Sequence, residues 1–275
     1  MVEYRMFSPE PALAEYVRFF WTLDASVGGN EPFVHRALPD NCVELIFYVK
    51  GKLSISAASG PEGVTFTSGV FGQAEKFRLF KANTDFSLFG VYLYPFAFKH
   101  LFNLPAHVLS NEKVDSNTLW GKDGVWLEEQ VMVAADTAQR VKVVSDFLIR
   151  RLRSMHDHER KFLWQIKGIA DTSGLRSIKS FADDCSLSRR QFERRFKELS
   201  GFSPGDFFNI VRFKRALNAM EDASVSLAQT AIASGYYDQS HFTNEFKRLS
   251  GYTPKEFVLN RQSKTDMRAT RDFKE

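Results

Sequence analysis

A sixteen-residue stretch returns 50 positions later in altered form, and this near-repeat constrains the fold more than any other feature of the chain. Phe192-Glu-Arg-Arg-Phe-Lys-Glu-Leu-Ser-Gly-Phe-Ser-Pro-Gly-Asp-Phe207 is answered by Phe242-Thr-Asn-Glu-Phe-Lys-Arg-Leu-Ser-Gly-Tyr-Thr-Pro-Lys-Glu-Phe257. Eight of the sixteen positions are identical, and they are residue types that build a core, a cap or a turn: Phe, Phe, Lys, Leu, Ser, Gly, Pro and Phe. The positions that differ are mostly those a helix would turn outward. One scaffold carrying two different exposed faces suggests a pair of modules that read two neighbouring targets.

Helical geometry says what each copy builds. Phe192, Phe196 and Leu199 recur at i, i+4 and i+7, a single apolar stripe. Ser188 suits the N-cap, and Gln191 three residues on completes a capping box. Gly201 then ends the helix and Ser203-Pro204 starts another, since proline fits the first helical position. The second copy repeats the plan with Asp238 as cap, Gly251 as stop and Thr253-Pro254-Lys255-Glu256 as a new capping box.

Upstream of each copy lies another amphipathic segment, Ile178 to Cys185 in the first and Ser226 to Ser234 in the second. A short helix, a tight turn and a second helix make the helix-turn-helix plan, whose second helix enters the major groove of DNA. The second copy carries one more residue between Ala231 and Phe242 than the first does between Ala182 and Phe192, a difference of turn length only. At roughly 100° per residue, Arg190, Arg194 and Lys197 lie opposite the apolar stripe, with Glu193 on its flank. The matching positions are Ser240, Asn244 and Lys247, with Thr243 on the flank. Guanidinium forks suit guanine edges, a carboxylate suits cytosine, and an asparagine suits adenine. A charged outer face on a lone helix would read as solvated surface. Its placement on the second helix of two such modules favours base reading.

Residues from 160 to 260 resemble the twin helix-turn-helix domain of AraC/XylS-type transcription regulators, most closely over Gly235-Tyr-Tyr-Asp-Gln-Ser-His-Phe-Thr-Asn-Glu-Phe-Lys-Arg-Leu-Ser-Gly-Tyr-Thr-Pro-Lys-Glu-Phe257. Phe207 to Met220, with Arg212-Phe-Lys-Arg-Ala-Leu, is similar to the linker helix that joins the two modules in that family. The resemblance implies that Arg190, Glu193 and Arg194 meet bases of one half-site, and that Gln239, Ser240, Thr243 and Asn244 meet bases of the other. Arg189, Lys197, Arg212, Lys214 and Lys247 would hold phosphates. Glu193 departs from what DNA favours, and the second face is light in charge.

Charge points the same way. Residues 1–159 hold 16 Lys and Arg against 19 Asp and Glu, a balance of −3, whereas residues 160–275 hold 21 against 14, a balance of +7. The whole-chain value of +4 therefore hides a basic C-terminal part, the footprint of phosphate contacts. A membrane-surface helix would need an exposed apolar face, and here those faces are needed for the module cores. No run of 18 apolar residues and no signal-like start is present, so a cytoplasmic, nucleoid-associated protein is expected.

The first 155 residues read differently. Val17–Leu23, Val43–Val49, Lys52–Ser56 and Phe86–Tyr94 are short, aromatic and β-branched, and are separated by turn-rich stretches such as Gly28-Gly29-Asn30 and Asn83-Thr84-Asp85. They predict a β-sandwich or barrel. Pro95 to Phe102 reads as a helix begun by proline, and Val131 to Arg153 as one longer helix. Pro39 to Ile46, Gly90 to Pro95 and Leu119-Trp120-Gly121 resemble the cupin-like sensor half of some of these regulators. The expected architecture is thus an α+β chain of two domains. Residues 1–155 form a sandwich or cupin-like barrel with flanking helices, 156–161 a hinge, 162–262 an all-α pair of helix-turn-helix modules on a linker helix, and 263–275 a disordered tail.

Fifteen of the 27 phenylalanines fall in residues 1–159. They either fill the barrel or line an apolar effector pocket, for which His35, Arg36, Glu44 and Tyr92 are the polar candidates. The long helix could pair with its twin in a homodimer or pack on its own barrel. Double-stranded DNA is the expected partner, with RNA polymerase, a small-molecule effector and a second copy as further ones. Catalysis finds no support. The six histidines (His35, His100, His107, His156, His158 and His241) form no His-x-His on a predicted strand, and Cys42 and Cys185 are too few for a disulfide framework or a four-cysteine zinc site. No phosphate-cradling glycine loop or nucleophile elbow is present, and no cofactor is implied. The remaining alternative is a DNA-binding module joined to an enzymatic or protein-docking N-terminal domain.

Overall fold

A computed structural model describes residues 2–28, 32–57, 63–64, 66–152, 162–163, 178–222 and 224–262. The N-terminal half is built from β1 (Val2–Phe7), β2 (Val17–Ala25), β3 (Phe33–Ala37), β4 (Val43–Lys50), β5 (Ser54–Ala57), β6 (Gly63–Val64), β7 (Ser68–Phe71), β8 (Arg78–Ala82), β9 (Phe86–Leu93) and β10 (Lys113–Asp115). Two antiparallel sheets result, ordered β1-β2-β9-β4-β7-β10 and β3-β8-β5-β6. They do not close on each other, so of the two expected forms the chain takes the sandwich.

The six-stranded sheet is covered on both faces, which is why β2, β4 and β9 are apolar almost throughout. Val43, Leu45 and Phe47 turn one way, into a core shared with Phe98, Leu127, Val144, Phe147 and Leu148. Ile46 and Tyr48 turn the other way, towards Ile55 and Phe80 of the second sheet. Aromatic rings occupy the space between the sheets: Phe19 stacks on Tyr92 at 4.8 Å and Phe33 meets Phe86 at 4.9 Å.

The helices on the outer face are α1 (Ala97–Phe102), α2 (Ser116–Trp120), α3 (Lys122–Val133) and α4 (Thr137–Arg151). The single long helix expected from Val131 to Arg153 is therefore two. The chain leaves helical geometry at Ala134, and Asp136 caps α4 by accepting from the Gln139 N–H at 2.8 Å. An aspartate that can bond backbone donors ahead of it favours a fresh helix start over an uninterrupted run.

The C-terminal half comprises α5 (Ile178–Asp184), α6 (Arg189–Ser200), α7 (Pro204–Ala219), α8 (Leu227–Ala233), α9 (Gln239–Ser250) and α10 (Pro254–Gln262). The two copies of the repeat close in the same geometry. Phe196 meets Phe207 edge-on at 5.2 Å, and Phe246 meets Phe257 edge-on at 5.1 Å. Gly201 and Gly251 both end their helices in the left-handed region, at φ 83° and 81°, where a side chain would be strained. Ser188 and Gln191 form the expected capping box, Asp238 caps α9, and Thr253 with Glu256 caps α10. The expected hinge at 156–161, with His156 and His158, and the tail at 263–275 lie outside the described residues.

Candidate nucleic-acid interface

The second helices of the two modules, α6 and α9, are amphipathic. They bury Phe192, Phe196 and Leu199 on one, and Phe242, Phe246 and Leu249 on the other. Burying that stripe in a shared core forces the opposite side outward. Arg190, Arg194 and Lys197 are exposed on α6, and Gln239, Ser240, Asn244 and Lys247 on α9. Each of these helices thus presents a polar row beginning at its capped N-terminus, the end that approaches base edges in a helix-turn-helix reader.

Not every candidate on these rows is uncommitted. Arg189 donates through Nε to the Glu193 carboxylate at 2.8 Å, an i,i+4 pair at the surface. The Arg189 guanidinium thereby screens the Glu193 charge. Thr243 donates its hydroxyl to the Gln239 carbonyl at 2.8 Å and lies only partly exposed.

Arg212 is placed unlike a surface phosphate contact. Its side chain is only 19% exposed, and its guanidinium lies 3.6 Å from the Glu245 carboxylate, itself 8% exposed. His241 Nε2 is 3.4 Å from the same carboxylate, and the Tyr236 ring lies 5.5 Å from the guanidinium. This cluster ties the linker helix α7 to α9. A signal for it exists in the sequence, because Glu245 falls beside Phe242, Phe246 and Leu249 on a stripe that should be apolar. Its repeat counterpart, Arg195, lies over the Phe162 ring at 4.8 Å. Lys214, also on α7, is partly buried near Cys42 of the sandwich.

The four N-terminal pocket candidates are not brought together. Glu44 and Tyr92 are register partners on β4 and β9 and hydrogen-bond to each other. Burial, with Asp40 nearby, pushes the Glu44 carboxyl up to about 7, while the Tyr92 hydroxyl and Arg78 pull it down. Burial likewise raises Tyr92 and pushes the Cys42 thiol up to about 12. This polar group sits at the end of the sandwich that faces the helical half, where the Asn41 amide donates to the Phe207 carbonyl at 3.3 Å. His35 lies instead between the Phe33 and Phe80 rings. Arg36 points away from them, past Phe77, and reaches the second module. Among the described residues, no three His, Cys, Asp or Glu side chains gather as a metal site requires, and no helix is long and apolar enough to cross a membrane.

Residues 181–260 match the family model of a helix-turn-helix domain. The match lies over the two helix-turn-helix modules of the C-terminal part. Residues 5–115 match a domain of unknown function, DUF6597. No curated protein is similar in sequence. Solved structures similar to the chain include the fatty-acid-bound wild-type ToxT of Vibrio cholerae strain SCE256, at 12% identity over 87% of this chain and 95% of that one, with a TM-score of 0.47. The helix-turn-helix part is similar to an AraC-type transcriptional regulator from Chromobacterium violaceum, at 25% identity over 38% of this chain and 96% of that one, TM-score 0.35. It is also similar to the DNA-binding domain of AdpA in complex with a target DNA, at 21% identity over 38% of this chain and 95% of that one, TM-score 0.36.

Proposed function

We propose that the protein is a sequence-specific DNA-binding transcription regulator in which α6 and α9 enter successive major-groove segments. The observation that carries this reading is the pair of helices ended by the same left-handed glycine turn but with unlike exposed rows, Arg190 and Arg194 on one helix and Ser240 and Asn244 on the other. Arg190, Arg194, Gln239, Ser240 and Asn244 read bases, with Glu193 and Thr243 on the flanks. Arg189, Lys197, Lys214 and Lys247 hold phosphates and set register. Arg212 acts from inside the fold, by fixing α9 on α7.

The sandwich half serves as the regulatory part, taking a small effector or a second copy of the chain. Glu44 and Tyr92 support the effector reading, being a partly buried acid and phenol, hydrogen-bonded to each other, at the end of the sandwich nearest the DNA-binding half. The working compartment is the cytoplasm, where duplex DNA and RNA polymerase are available. The full chain should bind duplex DNA in a salt-dependent manner, and Arg194→Ala and Asn244→Ala should each relax base preference in a different half-site. Loss of preference in the same half-site for both variants would contradict the assignment of one helix to each.

A further inference from the structure

The two modules do not merely share a linker helix; each is also gripped at the same point by the sandwich. In the first module, the Gln73 amide donates to the carbonyl of Ser200 at 2.8 Å, and the Ser110 hydroxyl donates to the carbonyl of Gly201 at 2.8 Å. In the second, Arg36 donates to the carbonyl of Ser250 at 3.0 Å, and the Phe77 N–H donates to the carbonyl of Leu249 at 3.0 Å. Ser200 and Ser250 are the same position of the repeat, 50 residues apart. Both carbonyls lie at the C-terminal end of a recognition helix, where backbone acceptors lack intrahelical donors and the helix carries partial negative charge. An amide donor and a guanidinium are both complementary to such an end.

The glycine turns show the same close approach. A Cβ at Gly201 would lie 1.4 Å from Gln73 Nε2, and one at Gly251 would lie 2.7 Å from Arg36 Nη1 and 2.5 Å from the Phe77 ring. The one aromatic difference between the turns also finds a cause. Phe202 is buried in the helical core, whereas its counterpart Tyr252 stacks on Arg36 at 4.2 Å and accepts from Arg36 Nη2 at 3.0 Å. The Phe77 ring also packs against the guanidinium, at 4.2 Å.

We infer that the sandwich is a brace across both modules, and that Arg36 and Gln73 are positioning residues that set the distance and rotation between the two recognition helices. The grip falls at the C-terminal ends of α6 and α9 and leaves their capped N-terminal halves exposed, so the braced arrangement keeps both reading rows open. The helices then accept only one separation of half-sites, and any signal received by the sandwich reaches both modules through β3 and the segment between β7 and β8. This rests on the DNA-reading function proposed above.

The test uses the full chain and the operator selected by the wild-type protein, compared with the same operator carrying one extra base pair between its half-sites. That insertion moves the far half-site by about 3.4 Å and rotates it by about 35°. The wild-type protein should discriminate strongly against it. Arg36→Ala combined with Gln73→Ala should lower the ratio of the two affinities by about tenfold. A role in folded stability alone would weaken both operators by one factor and leave the ratio unchanged, which would overturn the brace. Gly201→Asn with Gly251→Asn provides a second route, because asparagine tolerates the left-handed turn while its Cβ intrudes on Gln73, Phe77 and Arg36. It should relax spacing in the same way, and a folded variant that kept the wild-type ratio would equally overturn the inference. Failure of the wild-type protein to select any two-part site would instead remove the DNA-reading function on which the brace depends.

Discussion

The function proposed here turns on which side chains are exposed and unpaired to meet a partner. Arg194 is exposed on α6, opposite the buried Phe192 and Phe196. Arg194→Ala should cost about 1–3 kcal/mol of binding and relax preference at one position, whereas Lys247→Ala should weaken all sequences alike; titration against a small panel of single-base operator variants separates the two. Glu44 allows a different check. Its folded carboxyl sits near 7, above the usual 4.5, so the folded state holds the proton more tightly than the unfolded chain does. Below pH 4.5 this group contributes no difference. Between 4.5 and 7 the unfolded chain ionises first and stability falls as pH rises, and above 7 the full penalty is present. Because Glu44 retains some solvent access, the loss should be about 1–3 kcal/mol. Glu44→Gln should flatten the urea midpoint between pH 5 and pH 8, and an unchanged slope would place the source of any pH dependence elsewhere. At this scale the outward rows were legible, since an apolar stripe of period 3.6 fixes which side remains. The Arg212 pairing was not, because Glu245, although it interrupts an apolar stripe, lies 33 residues further on and nothing local says which cation it meets.

At the scale of elements, the repeat made the helical half readable down to its caps. Each local signal there (capping hydroxyl, stripe, glycine stop, proline restart) agrees with the others. The sandwich was harder. β2, β4 and β9 stood out because both their faces are buried, but β1, β3, β8 and β10 are partly covered, β7 is buried yet only four residues long, and the pairing of all five is decided by distant strands. The break between α3 and α4 was missed because the apolar spacing of one helix runs on into the next. The Arg212–Glu245 pair is the element-scale contact most open to test. Glu245→Ala leaves a largely buried guanidinium with only the Asn209 side-chain carbonyl oxygen and the Tyr236 ring, without a counter-charge, and should destabilise the helical half by about 2–3 kcal/mol. Replacing both residues with apolar ones, as Arg212→Met with Glu245→Leu, should recover most of that loss. If the single and double variants unfolded at the same midpoint, the pair would not be what holds α9 on α7.

For the whole molecule, the contacts that matter most join residues 91 to 216 positions apart, such as Ser110 with Gly201, Gln73 with Ser200 and Arg36 with Tyr252. Sequence periodicity cannot show them. Arg36 was legible as a functional candidate but not as one that reaches the second module, since its direction depends on the register of β3 against β8. The charge asymmetry was legible, and it fits a basic reading half carried by a near-neutral regulatory half. The central claim is that two unlike recognition helices read two half-sites at once, and selection of bound sequences from a random duplex pool by the full-length protein tests it most directly. A motif of two dissimilar half-sites about 10 base pairs apart is expected, persisting as salt is raised while non-specific binding falls away. Enrichment of a single short half-site, or of no sequence at all at either salt concentration, would contradict it.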